Sequence, residues 1–251
     1  MQFEDDLLWL HKVRDFEIKA ALVYFPEDVS KSVLELGSGT GYMIEKIRKR
    51  YPKVQGLEVS GSAYEYIDPD ITVYDGKCLP FKDGSFDIIF SSHVLEHVPH
   101  IGDYLEETAR ILKPGGVAIH IIPSSLWRFL TSVMHYPALI KMIFSVKLNN
   151  RMQQIKTETK QRGWMEMLKF SLVAPRHGDY GNVITENYYF SRQHWGKLFS
   201  KSSLSLVESH GIGLVYWGRD LFRLSWSIRS RQRLARVIGS TSTLYVLKKP
   251  L

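Results

Sequence analysis

Val33-Leu34-Glu35-Leu36-Gly37-Ser38-Gly39-Thr40-Gly41 joins a short buried-strand pattern to three glycines at alternate positions, and a helix is expected to begin near Tyr42. Without a Cβ at 37, 39 and 41, the backbone can turn sharply out of the strand and approach a ligand closely, while the helix start offers free N–H groups. This order predicts the floor of a nucleotide-like site. The dinucleotide fingerprint G-x-G-x-x-G is not met, because the loop reads G-x-G-x-G, and a phosphate loop is excluded because no Gly-Lys-Ser/Thr follows. The carboxylate of Glu35, inside the strand, disfavours a pyrophosphate and favours a cationic or hydroxyl-bearing ligand. A strand-turn-helix corner with no ligand is the alternative for this segment taken alone.

Working outward, Lys53-Val54-Gln55-Gly56-Leu57-Glu58-Val59 reads as a second strand ending in an acid, where ribose hydroxyls are expected to be held. Ile71-Thr72-Val73-Tyr74-Asp75-Gly76 reads as a third, closing on an acid suited to the exocyclic amine of an adenine. In an open parallel sheet the carboxyl ends of strands line one crevice, so the glycine loop, Glu58 and Asp75 are expected to converge. The predicted fold class is α/β, a Rossmann-like, doubly wound and mostly parallel sheet of seven strands, with a helical and loop insertion after the fifth.

With these residues in place, the chain resembles class I S-adenosylmethionine-dependent methyltransferases of the small-molecule type (type 11-like), which includes ubiquinone- and menaquinone-pathway enzymes. Beyond the glycine loop, the resemblance is carried by residues 75–90, by Leu95-Glu96-His97-Val98, and by Ala109-Arg110-Ile111-Leu112-Lys113-Pro114-Gly115-Gly116. It implies S-adenosylmethionine as cofactor. The methionine end is then expected against Glu35, Gly37, Ser38 and Gly39, the ribose on Glu58, and the adenine near Asp75 and Gly76; Gly41, Val59, Ser91 and Ser92 are expected to bind the cofactor as well. Glu58 stands where many relatives have Asp, and Gly76 where alanine is commoner, which implies a slightly looser adenine pocket.

Other segments read as framework. Phe86-Asp87-Ile88-Ile89-Phe90 is a short apolar run of the kind found in a buried central strand. Lys113-Pro114-Gly115-Gly116 is expected to stop a helix over 101–112 and to start a fifth strand at Val117, which Pro123 ends. His93 and His97 fall just past a strand end at the crevice mouth and are not read as metal ligands. The single cysteine, Cys78, permits no intramolecular disulfide and is expected to pack beside Leu79. No metal-ligand spacing is read anywhere, so a metal-independent reaction is expected.

The 251 residues are read as one methyltransferase domain: an N-terminal helical lid (1–30), a cofactor core (31–123), a substrate-cap insertion (124–200), and C-terminal strands with a basic helix (201–251). Leu7, Leu10, Arg14, Ile18 and Leu22 outline the lid helix, the acidic start lacks signal-peptide order, and the single cysteine makes a reducing cytoplasm the expected location. Charge is divided. Residues 1–115 carry 13 Lys+Arg and 20 Asp+Glu, or −7, so the remainder carries 20 and 6, or +14, consistent with a net +7. The acidic half suits a sulfonium cation; the basic half points to an anionic partner such as a lipid-linked glycan, with peripheral anionic-membrane contact also considered.

Substrate recognition is expected in the excursion between the fifth strand and a sixth over 204–208. Residues 125–144 are apolar and aromatic but interrupted by Arg128, His135, Pro137 and Lys141, which favours a cap or interfacial helix over a membrane span. In residues 219–236 apolar side chains alternate with six arginines, which reads as a basic solvent face over a core-facing stripe, with a helix lying on anionic lipid as the alternative. Residues 174–190 form a glycine-punctuated loop expected over the crevice mouth; with Ser191-Arg192-Gln193-His194-Trp195 it resembles methyltransferases of cell-surface polysaccharide clusters, which implies a sugar hydroxyl as acceptor. A hydroxyl benefits from a base, and His177 is the first choice, followed by His194 and His97. A quinone or lipid acceptor is the runner-up. RNA methylation, resting on charge alone, and a non-catalytic cofactor-binding partner follow.

Overall fold

The computed structural model describes residues 2–62, 69–144, 174–217 and 226–251. The apolar runs become strands β1 (Val33–Leu36), β2 (Val54–Val59), β3 (Ile71–Tyr74), β4 (Phe86–Ser92), β5 (Leu112–Pro123), β6 (Ser205–Gly211) and β7 (Ser242–Lys248). They form one sheet in the order β3-β2-β1-β4-β5-β7-β6. β1 to β5 pair in parallel, and β7 runs antiparallel to both β5 and β6. Reversal at β1, from which the chain steps out to β3 and returns to β4, opens the crevice at the carboxyl ends of these strands.

Both faces of the sheet are covered, so neighbouring residues of a strand serve opposite cores. Val33, Ile88, Phe90, Ile119 and Ile121 face α1 (Gln2–Leu22) and α2 (Tyr42–Arg48). Leu34, Leu36, Ile89, Ala118 and Ile122 face α3 (Ile101–Ile111) and a helix beyond the insertion, α6 (Arg192–Phe199). Between β5 and α6 lie α4 (Ser125–Phe144) and the single turn α5 (Glu186–Tyr189); α7 (Ile228–Ile238) precedes β7. No described helix is long and apolar enough to cross a membrane.

Four expectations change. Lys113-Pro114-Gly115-Gly116 lies within β5, not between a helix and a strand: Gly115 takes φ +73° and the tract is tied to the chain end by Gly115 N–H to Lys249 O at 3.0 Å. The buried side of α1 is Trp9, Val13, Glu17, Ile18 and Ala21, whereas Leu7 and Leu10 are exposed. Cys78 is exposed. Arg231, in the basic stretch, does not face solvent: it is fully buried, its guanidinium 4.3 Å from the ring centre of Trp9 and 5.6 Å from that of Trp217. The rest of that stretch at 219–225, and residues 145–173 of the insertion, lie outside the described residues.

Candidate active site

The glycine loop leaves β1 through three left-handed residues, Gly37, Gly39 and Gly41, with φ of 68°, 52° and 79°. A Cβ on Gly37 would lie 2.4 Å from Val94 Cγ2, so the space kept by this glycine admits the turn after β4. Ser38 is structural through its side chain: Oγ donates to Glu35 O at 3.0 Å and accepts from Leu57 N at 3.1 Å, joining β1 to β2. Glu58 bridges the same strands. Its Oε2 accepts from Gly39 N–H at 2.7 Å and its Oε1 from Val59 N–H at 3.1 Å, with the side chain buried at the end of β2. Glu35 is also buried, in register with Gly56. Asp75 and Gly76 follow β3 at the surface, Asp75 accepting from Lys77 N–H at 3.0 Å. Gly76 has φ +81° and would press a Cβ to 3.2 Å from Val59 Cγ2, so glycine there answers a backbone requirement.

At the end of β4 the two serines engage protein groups. Ser91 Oγ lies 2.8 Å from His120 Nδ1, and Ser92 Oγ donates to Glu17 Oε2 at 2.8 Å. Glu17, fully buried on α1, gathers Arg14 at 2.6 Å, His93 Nε2 at 3.0 Å and the Tyr216 hydroxyl at 2.8 Å. Burial alone would raise its pKa, but Arg14 and His93 outweigh that and hold the carboxyl well below the usual range. His93 follows β4 with φ +57°, an uncommon conformation for a non-glycine residue. This knot fastens α1 over the strand ends.

The turn Leu95–His97 then presents Glu96, buried, and His97, exposed. Against it packs the loop from the insertion: Asp179 N–H donates to Glu96 O at 3.1 Å, and Tyr180 Oη donates to Val98 O at 3.0 Å and also reaches Pro99 O. His177 is thereby brought within 4.8 Å of His97 between ring centres, and 4.5 Å of Trp127. Glu186 of α5 holds this loop, accepting His177 N–H at 2.8 Å and Gly178 N–H at 2.9 Å through Oε1, while Arg128 of α4 meets its Oε2 at 2.9 Å. Burial, then the neighbouring His97 and His93, push His177 down to about 3, so it is neutral at pH 7. Burial raises Glu96 against the pull of the same two histidines.

Of the three predicted histidines, the structure brings His97 and His177 together. His194, on α6, meets Tyr188, Tyr189 and Trp195 edge-to-face, and with Glu96 lines a cavity of about 10 Å³, room for one water. A larger cavity of about 430 Å³ lies at the opposite, amino ends of the strands, beside Lys31 and Asp87. Sequence reasoning missed Glu17, Glu96 and Glu186. The signal for Glu96 was an acid between an apolar strand end and a histidine; the other two had none, since their partners are distant in sequence.

The residues fit S-adenosylmethionine: a backbone that turns through three left-handed glycines, with buried carboxylates at the ends of β1 and β2 and an exposed one after β3. A family model for a methyltransferase domain matches residues 9–209. The chain belongs to that family, and its sheet has the fold of class I, S-adenosylmethionine-dependent methyltransferases. The biotin biosynthesis bifunctional protein BioHC of Cellvibrio japonicus is 32% identical over 104 residues, 39% of this chain and 21% of that protein. The 2-methyl-6-phytyl-1,4-hydroquinone methyltransferase of Synechocystis is 34% identical over 97 residues, 35% of this chain and 30% of that protein. This chain thus spans under a third of the length of each of these two relatives. Among solved structures, a chain in the complex of the Haloferax volcanii Trm112 methyltransferase activator with a methyltransferase superposes with TM-score 0.57 at 19% identity, covering 99% of this chain and 94% of that one, which shows the shared fold.

Proposed function

We propose that this chain transfers a methyl group from S-adenosylmethionine to an oxygen of a small anionic acceptor, such as a hydroxyl of a lipid-linked glycan. The observation that supports this reading is the meeting of two oppositely charged halves: the basic half sends His177 and Asp179 onto the turn around Glu96, beside the acidic strand ends. When bound, the cofactor supplies an electrophilic methyl on a sulfonium. The chain's task is alignment, which in well-oriented systems is worth about 7–11 kcal/mol of barrier. Glu35 holds the cationic end, Glu58 the ribose hydroxyls and Asp75 the adenine amine, while residues 174–190 cap the acceptor with His97 and His177 facing it. Glu58 leaves its two backbone donors or shares them, since each carboxylate oxygen has a second lone pair.

The test has two arms. Titration with S-adenosylmethionine is expected to show binding weakened about 10- to 100-fold in Glu58→Ala, the equivalent of one charge-assisted hydrogen bond; equal affinity overturns the ribose assignment. Labelled-methyl transfer to fractionated lipids, glycans and RNA from the native cell is expected to mark the glycan or lipid-linked fraction, and label confined to RNA overturns the acceptor class.

A second reading, an apolar lipid or quinone acceptor, is favoured by one face of α4, where Phe129, Val133 and Tyr136 are 56%, 45% and 51% exposed, and by the hydroquinone specificity in the name of the Synechocystis relative. Label in the quinone fraction alone would select it.

A further inference from the structure

Glu96 is a buried charge that cofactor binding does not explain. Its carboxylate is 2% exposed, and among the described residues neither oxygen accepts a hydrogen bond, a costly state for a carboxylate. Three imidazoles surround its Oε1: His93 Nδ1 at 3.7 Å, His97 Nε2 at 3.9 Å and His177 Nε2 at 3.9 Å. These separations exceed the roughly 2.7–3.2 Å of a hydrogen bond. They lie within about half an ångström of the ~3.4 Å between ligands on a tetrahedral ion with bonds of about 2.1 Å.

We propose that Glu96, His97 and His177 form a site for one divalent transition ion of the zinc class. The ligating atoms of Glu96, His97 and His177 all lie within 4.8 Å of one another, so side-chain shifts that close the widest pair by about 1.4 Å, to the ~3.4 Å of a tetrahedral ion, complete the site. Two imidazoles and one carboxylate favour Zn²⁺, Co²⁺ or Fe²⁺ over Mg²⁺ or Ca²⁺, which prefer oxygen. The outer partners are also present. His93, held through Nε2 by Glu17 Oε1 at 3.0 Å and the Tyr216 hydroxyl at 2.7 Å, keeps its Nδ1 3.7 Å from Glu96 Oε1 as an outer partner that orients the carboxylate. His177 is fixed through its backbone by Glu186. The nearby Arg14 is matched by Glu17, so Glu96 supplies the negative charge. Exposed His97 gives the ion a route from solvent.

Spacing in the sequence conceals this site because His177 comes from the insertion. Only the ion's role rests on the methyl-transfer reading: it lowers the proton affinity of an acceptor hydroxyl that reaches it, the proton passing to solvent in place of direct transfer to His177. Binding of the ion does not rest on it.

The full chain, stripped with a chelator and dialysed, is titrated with Co²⁺ and followed by its visible ligand-field absorption, with Zn²⁺ competition. One equivalent with an intense, tetrahedral-type spectrum, displaced by Zn²⁺, is expected. His97→Ala and Glu96→Gln should each weaken the Kd more than about 100-fold, because even outer partners of metal ligands are worth about 10- to 100-fold. His97→Ala, at an exposed position, guards against loss of fold, and circular dichroism with S-adenosylmethionine binding confirms it. Absence of the spectrum in wild type, or an unchanged Kd in folded His97→Ala, overturns the metal site. If the ion binds as described but no fraction accepts methyl, the methyl-transfer reading fails and the metal site stands.

Discussion

Arg128 Nε lies 2.9 Å from Glu186 Oε2 with both side chains fully buried, and the other oxygen of the same carboxylate holds the backbone of His177. One ion pair between α4 and α5 therefore fixes where the insertion delivers its imidazole. Arg128 also donates to Pro175 O at 2.9 Å, so the loop is held from both sides. Removing one partner strands the other charge away from water. Arg128→Met is expected to destabilise the fold by about 3–5 kcal/mol, as breaking buried pairs does. Arg128→Met/Glu186→Gln should cost less than the sum of the single changes. Denaturant titration of the three variants checks this, and additivity would show that the pair is not coupled.

The glycine at 37 answers two demands, a left-handed backbone and space for Val94. Gly37→Ala puts a Cβ 2.4 Å from Val94 Cγ2 at φ +68°, so the cofactor loop must shift. The expected result is a loss of about 1–2 kcal/mol from the left-handed backbone alone, with a further loss from the clash and weaker S-adenosylmethionine affinity. Val94→Ala added to it relieves the clash but not the backbone strain. Recovery of part, and not all, of the stability in thermal unfolding is the outcome that separates the two.

How far the sequence carried is clear from where these residues sit. Glu58 and Asp75 were readable as candidates because each closes a short apolar run, and Glu35 because a carboxylate inside such a run is unusual; a parallel sheet brings strand ends together without further information. His177 was legible as a polar residue in a long loop, but its meeting with Glu96 was not. That contact depends on Arg128 and Glu186, two charges that pair only after α4 and α5 have folded, in a segment with no repeating pattern. Glu17 was hidden similarly: a helical acid reads as solvent-facing until Arg14, Ser92, His93 and Tyr216 converge on it. The short apolar run Phe86-Asp87-Ile88-Ile89-Phe90 predicted a buried central strand, and the structure shows its neighbouring residues Ile88 and Ile89 serving two cores.

Acid sensitivity follows from His120. Burial in β5 lowers its pKa from 6.5 to about 3, with Nδ1 2.8 Å from Ser91 Oγ. The folded value is below the unfolded one, so the contribution is present in full above 6.5 and is lost as pH falls toward 3, at up to about 1.4 kcal/mol per unit. Glu17 adds in the same direction at lower pH, its folded pKa also being depressed from 4.5. Denaturant midpoints measured from pH 7.5 to 4.5 should fall steadily below 6.5, and His120→Gln should flatten the slope between 6.5 and 5. An unchanged slope in that variant would place the sensitivity elsewhere.

The exposed face of α4 bears on where the acceptor is met. Phe129, Val133 and Tyr136 share one side of the helix, since residues three and four apart are neighbours on its surface. Singly, exposed apolar side chains need no explanation, but three in a stripe near a chain half carrying +14 by composition match an anionic lipid surface. Flotation with vesicles rich in anionic lipid is expected to carry the protein at low salt and to release it as salt rises, because the electrostatic part is screened beyond about 10 Å at 0.1 M. Phe129→Ser/Val133→Ser removes apolar contact without altering charge and should reduce flotation several-fold at fixed salt. If the double variant floats like wild type, attraction is purely electrostatic and the stripe has no membrane role; if neither floats, the acceptor comes to the enzyme through solution.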